Sequence, residues 1–254
     1  MYPLAHIYFA NRVLGFKSDA AALGSLFPDV IISSGLEWEQ SHSLADIIWK
    51  HFYGENKNKV SFSLGVISHG VEPHGLDYYS DKKYKDFGKG YCYEKARGLI
   101  DEVVDSCYIA PEDGWWKAHN FVEMSVELFL YQKDPSILSI LHNSLNNSPL
   151  IAFISKELQL PLGLKSKLLE NSFSRFKRFA ATKNIDARGL AIRFRNQQYF
   201  ENNHDIVSMD LHKCQELIER GKNDIAKDIE DFFKFVQKQM EPVWKEYIYK
   251  NVRQ

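Results

Sequence analysis

Hydrophobic residues recur along this chain at the spacing of an α-helix, and the alternating pattern typical of a strand is scarce. Leu4 and Ile7 follow helical spacing near the start, and Leu44, Ile48 and Phe52 follow it further on. The pattern therefore predicts an all-α fold, with many helices packed in a compact arrangement.

Polar, Gly-rich and Pro-containing stretches separate the predicted helices. Helices are predicted over 60–68, 93–108 and 116–130, from 136 onward, and over a long amphipathic segment at 210–250. Breaks are predicted at 54–58, 80–90, 133–135 and 143–149. In the last segment Pro242 should kink or divide the helix. We expect either one compact domain or a metal-binding helical core over 1–130, with a helical remainder over 131–254 packed on the same domain.

Composition and charge weigh against several classes of protein. The 254 residues carry a net charge of -1, so no stable complex with nucleic acid is expected. No apolar stretch reaches the roughly 20 residues of a spanning helix, which predicts no integral membrane association. The three cysteines form no Cys-x-x-Cys pair, so we expect free thiols in a reducing compartment. Because no signal-peptide pattern is visible, we expect a cytoplasmic location, or secretion if Met1 replaces a removed signal.

Histidines are concentrated in the first half of the chain. Six of the nine lie there, namely His6, His42, His51, His69, His74 and His119. A single histidine is usually a core or surface residue, but several of these lie near carboxylates in the sequence. Imidazoles and carboxylates are the usual zinc donors where thiolates are absent. The distribution therefore predicts a site for divalent metal ions.

Three short segments offer candidate ligands. His119 and Glu123 are four residues apart on a predicted helix, which places both side chains on one face. The alternative for this pair is an ordinary hydrogen bond along the helix. Asp29 follows Pro28, where a turn or helix cap is the alternative to an oxygen donor. His42 lies in a Ser-His-Ser sequence before an apolar run, where helix capping is the alternative.

The densest candidate segment covers residues 68–77, with the sequence Ser-His-Gly-Val-Glu-Pro-His-Gly-Leu-Asp. It places two imidazoles and two carboxylates at the end of an apolar helix. Burial of so many ionisable groups is costly unless they are paired or bind an ion. The glycines allow the backbone to turn, so that His69 can converge with His74 or Asp77.

These residues occur in an order that resembles the zinc-dependent phospholipase C family, whose superfamily includes single-strand-specific zinc nucleases. The order is also similar to that in the catalytic domain of glycosylphosphatidylinositol-specific phospholipase D. The segments that carry the likeness are Ala5-His6-Ile7, Leu26-Phe27-Pro28-Asp29, His42, Ser68-His69 and His119-x-x-x-Glu123. The resemblance covers about the first half of the chain and leaves 131–254 unassigned.

The resemblance implies an all-helical phospholipase C-like fold with two or three Zn²⁺ ions, or other divalent metals, that activate a water to hydrolyse a phosphate ester. The implied ligands are Asp29, His42 and His69 for one zinc, His119 and Glu123 for a second, and His6 for a third. Asp29 would also act in catalysis, by orienting or deprotonating the water. The implied substrate is a small phosphate ester or a phospholipid.

Two features depart from the family pattern. The family has a bridging aspartate one turn after the Ser-His segment, whereas this chain has Pro73 there. Glu72, His74 or Asp77 must then take its place, or one metal site is altered or missing. In secreted members of the family the processed N-terminal residue ligates zinc, whereas His6 here follows Met1.

Other interpretations stay open at the level of sequence. A nuclease or nucleotide phosphatase would use the same metals, and a non-catalytic helical interaction protein would use a metal structurally. Trp115 and Trp116 are more typical of core packing than of a substrate cleft. The basic residues over 165–195 are more typical of a solvated helix face than of a phosphate contact. His204-Asp205 lacks the spaced partners of an HD-type phosphohydrolase, and no pattern indicates the oligomeric state.

Overall fold

The computed structural model of the protein describes residues 1–54, 56–180, 182–183, 185–201 and 208–249. Helices dominate these residues and none of them lies in a strand, which confirms the all-α prediction. The α-helices are α1 (Pro3–Leu14), α2 (Asp19–Ile32), α3 (Trp38–Ser41), α4 (Ala45–Phe52), α5 (Lys57–His69), α6 (Tyr91–Ala96), α7 (Ile100–Cys107), α8 (Gly114–Lys133), α9 (Ser136–Asn146), α10 (Ser148–Glu157), α11 (Gln159–Leu162), α12 (Ser166–Ala180), α13 (Ala187–Glu201), α14 (Leu211–Ile225) and α15 (Ile229–Tyr249). A π-helix covers Tyr78–Lys82, and 3₁₀ turns cover Arg97–Leu99 and Pro111–Asp113.

The chain folds into two compact units. The first, which we call the α2–α5 unit, consists of the described parts of Pro3–Tyr79, Pro135–Ala181 and Phe233–Gln254. The second, which we call the α8–α14 unit, consists of the described parts of Met1–Tyr2, Ser80–Asp134 and Thr182–Phe232. Each unit draws on residues from both sides of position 130, and that position lies within α8.

Helices α2 and α5 pack with their backbones in direct contact. A Cβ atom added at Gly24 would lie 2.0 Å from the carbonyl oxygen of Phe62, and one at Gly65 would lie 2.3 Å from that of Ala21. Only glycine permits such an approach. Beside this contact Phe27 packs edge-on against Phe62, with ring centroids 5.2 Å apart. The contact therefore fixes how the two helices lie relative to each other.

Local sequence explains where α2 and α5 begin. Ser18 Oγ accepts a hydrogen bond from Ala21 N at 3.0 Å, and Asn56 Oδ1 accepts one from Lys59 N at 3.1 Å. Helix α5 contains the predicted helix over 60–68. Helix α2 continues through Pro28, so the turn considered there does not form. A proline removes a single helical hydrogen bond, and the surrounding packing keeps the helix continuous.

Helix α8 packs against α6, α7 and α14 within the α8–α14 unit. Ser125 Oγ lies 2.8 Å from the carbonyl oxygen of Phe121 and 3.0 Å from that of Ile218, which links α8 to α14. Helix α8 contains the predicted helix over 116–130. The single helix predicted over 93–108 is wrong in its continuity, because a 3₁₀ turn that contains Gly98 separates α6 from α7.

The long segment predicted over 210–250 contains two helices, α14 and α15, and its last residue lies outside those that the structure describes. The break between the helices falls at 226–228, and α15 is not divided at Pro242. Within the described part of the chain, no helix combines the length and the apolar character needed to cross a membrane.

Gly65→Ala should lower the free energy of unfolding by about 3 kcal/mol, because the new methyl group would overlap the backbone of α2. Thermal unfolding followed by circular dichroism measures the effect. Gly98→Ala is the matched control, since a Cβ atom there meets no other atom within 4 Å. An unchanged melting temperature for Gly65→Ala would contradict the close contact of α2 with α5.

Candidate metal centre

Four side chains of the α2–α5 unit each bring one donor atom to a common point. They are Asp29, His42, His69 and Asp77, and their donor atoms all lie within 4.8 Å of one another. The Nε2 atoms of His42 and His69 lie 3.3 and 3.1 Å from Asp77 Oδ2, and 3.5 and 3.9 Å from Asp29 Oδ1. A tetrahedral zinc ion with ligands at about 2.0–2.2 Å holds its donors about 3.3–3.6 Å apart. The observed separations span that range.

Backbone hydrogen bonds bring the segment after α5 to this point. Val71 N donates to the carbonyl oxygen of His42 at 2.9 Å, which joins this segment to the end of α3. Gly75 N then donates to the carbonyl oxygen of Gly70 at 2.9 Å and closes a turn. The turn directs the chain back toward the end of α5. Asp77, eight positions after the last residue of α5, thereby reaches the same point.

Backbone carbonyl groups orient the two imidazoles. His69 Nδ1 lies 2.6 Å from the carbonyl oxygen of Ser25, and His42 Nδ1 lies 2.8 Å from that of Trp38. Since a carbonyl accepts, each Nδ1 carries the hydrogen and Nε2 of the neutral ring carries a lone pair. Both Nε2 atoms are buried and no hydrogen-bond donor faces them. Lone pairs that face the oxygens of Asp77 at this range repel unless a proton or a metal ion lies between them.

The pKa values of the site depend on burial and on the charges and hydrogen bonds of neighbouring side chains. Burial would raise the pKa of Asp29, but His69 and a hydrogen bond from His42 outweigh it and hold that pKa at about 2. Burial likewise opposes ionisation of Asp77, yet nearby positive charge, first that of the N-terminal amine and then that of the histidines, holds its pKa well below the usual range. For His42, burial lowers the pKa, but hydrogen bonding of the protonated ring to the two aspartates raises it to about 9. In the metal-free protein at neutral pH, a protonated His42 therefore lies beside two carboxylates.

His6, in α1, contacts the same two aspartates through their other oxygens. Its Nε2 lies 3.5 Å from Asp77 Oδ1 and 3.8 Å from Asp29 Oδ2, and its ring stacks on His69 with centroids 3.6 Å apart. Burial lowers the pKa of His6 to about 3, so the ring is neutral at pH 7. Each aspartate thus presents one oxygen to His69 and the other to His6, an arrangement that suits a carboxylate shared by two ions.

A second group of possible ligands lies in the α8–α14 unit. Asp81, His119 and Glu123 place donor atoms within 4.8 Å of one another. His119 Nε2 lies 3.9 Å from Glu123 Oε1, its Nδ1 bonds the carbonyl oxygen of Trp116, and its ring stacks on Tyr93 with centroids 4.3 Å apart. The amino nitrogen of Met1 lies 2.9 Å from Glu123 Oε1. This group therefore has the same kinds of donor as the first but one imidazole fewer, with an imidazole oriented by a backbone carbonyl and two carboxylates beside it.

The structure brings together most of the residues that the sequence singles out, but not His74. Of the three candidates for the bridging position, Asp77 joins the first group, whereas the ring of His74 stacks on Tyr78 with centroids 3.4 Å apart. Glu72 is likewise absent from both described groups. Sequence analysis missed Asp81. Its position four residues after Asp77 is the signal that could have found it.

The remaining sequence features supply no member of either group. Trp115 Nε1 donates to the carbonyl oxygen of Tyr93 at 2.8 Å, a packing role, while Trp116 is exposed. In the basic interval Arg175 is exposed, as expected for a solvated face, but Arg193 is buried beside Glu127. His204 and Asp205 lie outside the described residues.

Comparison with models of known protein families finds no match, and neither any curated protein nor any solved structure matches the chain.

The variants Asp77→Asn and His74→Gln should separate two of the three candidates for the bridging position. Asp77→Asn should weaken zinc binding by at least about 10- to 100-fold, because it removes a direct donor. Loss of a residue that only orients a ligand already costs about this much. His74→Gln should bind zinc like the wild type. Competition with a chromophoric chelator measures both affinities. Weakened binding in His74→Gln together with normal binding in Asp77→Asn would contradict the geometry.

Zinc binding to the first group should release about one proton at pH 7, because His42 must lose its proton to coordinate the ion. Asp29 and Asp77 are already ionised at that pH and release none. Affinity should therefore rise about tenfold per pH unit up to pH 9 and then level off. Calorimetric titration in buffers of different ionisation enthalpy measures the protons released. Binding that releases no proton at pH 7 would show that His42 is neutral in the free protein.

Proposed function

We propose that this protein is a hydrolase of phosphate esters, similar in chemistry to phospholipase C, that depends on a divalent metal ion such as zinc. The observation that carries the proposal is the donor group of Asp29, His42, His69 and Asp77, whose separations suit a tetrahedral ion. The order of these residues in the chain, with its resemblance to the zinc-dependent phospholipase C family, supports the choice of phosphate chemistry.

The chemistry of the donors fits zinc better than calcium or magnesium, since two imidazole nitrogens join two carboxylates. A divalent ion held there supplies Lewis acidity toward phosphate oxygens and lowers the pKa of water. The two imidazoles, fixed by backbone carbonyls, would hold the ion. His6 contacts the outer oxygens of the same aspartates and is the proposed donor to a further ion.

Asp29 is the proposed link between the site and the substrate. Its side chain is 25% exposed, whereas those of His42, His69 and Asp77 are at most 3% exposed. A carboxylate with a pKa of about 2 is a weak base at neutral pH. We therefore assign Asp29 to accepting a hydrogen bond from the attacking water and orienting it, rather than to removing its proton.

The proposed substrate is a small phosphate ester or a phospholipid. The net charge of -1 provides no general attraction for long nucleic acids, which disfavours a nuclease. Within the α2–α5 unit, a cleft of about 840 Å³ is lined by residues that include Ser43, next to His42 in the chain, and Tyr79, two positions after Asp77. A cleft of this size can hold the organic part of a small ester.

A structural metal site is the second candidate function. Four protein donors complete a tetrahedral shell, and zinc sites closed in this way are typically structural. Three of the four donors are buried, which agrees with that role. In this case the protein is a helical binding protein whose α2–α5 unit is stabilised by the ion.

Zinc-loaded protein should hydrolyse at least one of a panel of p-nitrophenyl phosphate monoesters and diesters, p-nitrophenylphosphocholine and phosphatidylcholine vesicles. Chelation should abolish the activity and zinc should restore it. Asp29→Asn should lower kcat by about 10- to 100-fold, because it replaces the carboxylate proposed to orient the attacking water. His212→Gln, which replaces a histidine exposed on α14, is the matched control and should keep full activity.

Single-stranded DNA in the same panel tests the nuclease alternative. The catalytic proposal fails if no ester is hydrolysed while zinc binds tightly and His69→Ala lowers the melting temperature. That combination would establish the structural site instead.

A further inference from the structure

Two buried cysteines of the α8–α14 unit face each other. Cys107 is the last residue of α7 and Cys214 lies in the first turn of α14. Their Sγ atoms are 4.0 Å apart, in contact but not bonded, and the side chains are separated by 107 positions in the chain. Neither the candidate metal centre nor the proposed function uses this pair.

The ends of α7 and α14 are held together around the two sulfur atoms. Asp210 N donates to the carbonyl oxygen of Ser106 at 2.8 Å, directly beside Cys107 and at the N-cap of α14. Further along, Arg220 binds Glu102 through both nitrogens of its guanidinium end, at 3.0 and 2.5 Å. The backbones that carry the two sulfur atoms are therefore linked on both sides of the pair.

We propose that Cys107 and Cys214 form a reversible disulfide that links α7 to α14 when the protein meets a disulfide oxidant. Formation of an S–S bond of about 2.05 Å requires the sulfur atoms to approach by about 2 Å, which small side-chain rotations at two helix ends can supply. Helix ends also open most readily, which admits the oxidant to buried thiols.

The reaction is an ordinary thiol–disulfide exchange with a small dialkyl disulfide. The Cys214 thiolate attacks one sulfur of the reagent, forms a mixed disulfide and expels the first alkyl thiolate. The Cys107 thiolate then attacks Sγ of Cys214 and expels the second. Two cysteines are oxidised, one reagent disulfide is reduced to two thiols, and the two protons of the cysteines pass to the expelled thiolates.

The environment of the pair sets the order of attack. A hydrogen bond from Cys107 lowers the pKa of Cys214, while the same contact raises the pKa of Cys107. The thiolate form of Cys214 is thus the more accessible nucleophile. The third cysteine, Cys92, is buried against Met1, with the two sulfur atoms 3.9 Å apart, and has no described cysteine beside it.

The disulfide would act on the helix that carries part of the second ligand group. Both α7 and α14 pack against α8, which bears His119 and Glu123. Linking the two flanking helices should stiffen the support of these side chains. This inference does not depend on the proposed function, because thiol oxidation is measured without any substrate.

Incubation of the metal-free protein with 2-hydroxyethyl disulfide tests the proposal. Thiol titration in denaturant should fall from three groups per chain to one. Trypsin should then release residues 98–117 linked to residues 214–220, and a reductant should separate them. The melting temperature of the oxidised protein should rise by about 5 °C or more, because the bond closes a long loop.

Three variants supply controls. Cys107→Ser and Cys214→Ser should each lose the linked peptide, whereas Cys92→Ser should retain it. A titre that stays at three thiols in the wild type would overturn the proposal, as would a linked peptide that contains Cys92. The wild-type peptide analysis decides the matter even if a variant fails to fold.

Discussion

The contact between the backbones of α2 and α5 is the constraint on which the candidate metal centre depends. Gly24 and Gly65 remove the side chains that would hold the two helices apart. Because the backbones touch, the carbonyl oxygen of Ser25 in α2 reaches Nδ1 of His69 in α5 at 2.6 Å. That bond directs Nε2 of His69 toward Asp29, which lies one turn further along α2. Helix packing therefore decides which donor atoms converge.

A second constraint is the cost of burying two carboxylates side by side. In the metal-free protein a proton on His42 offsets part of the negative charge of Asp29 and Asp77, which is why the pKa of that histidine rises. A divalent ion would replace the proton at the same point and add one more positive charge. Positive charge therefore offsets the two carboxylates both when His42 is protonated and when an ion is bound.

Sequence analysis could predict the helices and most of the residues that meet in the two candidate groups, but not the partition of the chain. Helical periodicity found α5 and α8, and the His119-x-x-x-Glu123 spacing placed two donors on one face of α8. The sequence could not decide which of Glu72, His74 and Asp77 joins His69 in the site. That depends on the turn that brings Asp77 back toward α5. No short-range pattern specifies that turn. The interleaving of segments in two units depends on long-range packing, which sequence periodicity does not describe.

The exposure of Asp29 is the feature that bears most on the proposed function. A zinc site closed by four buried protein donors binds its ion tightly but leaves no position for a substrate. Here His42, His69 and Asp77 are buried, and only Asp29 of the four reaches solvent. If this carboxylate were to bind a water molecule instead of an ion, three protein donors would be left to hold the ion, which is the number typical of catalytic zinc. The same four residues would thus provide a closed site or an open one, according to the position of a single side chain.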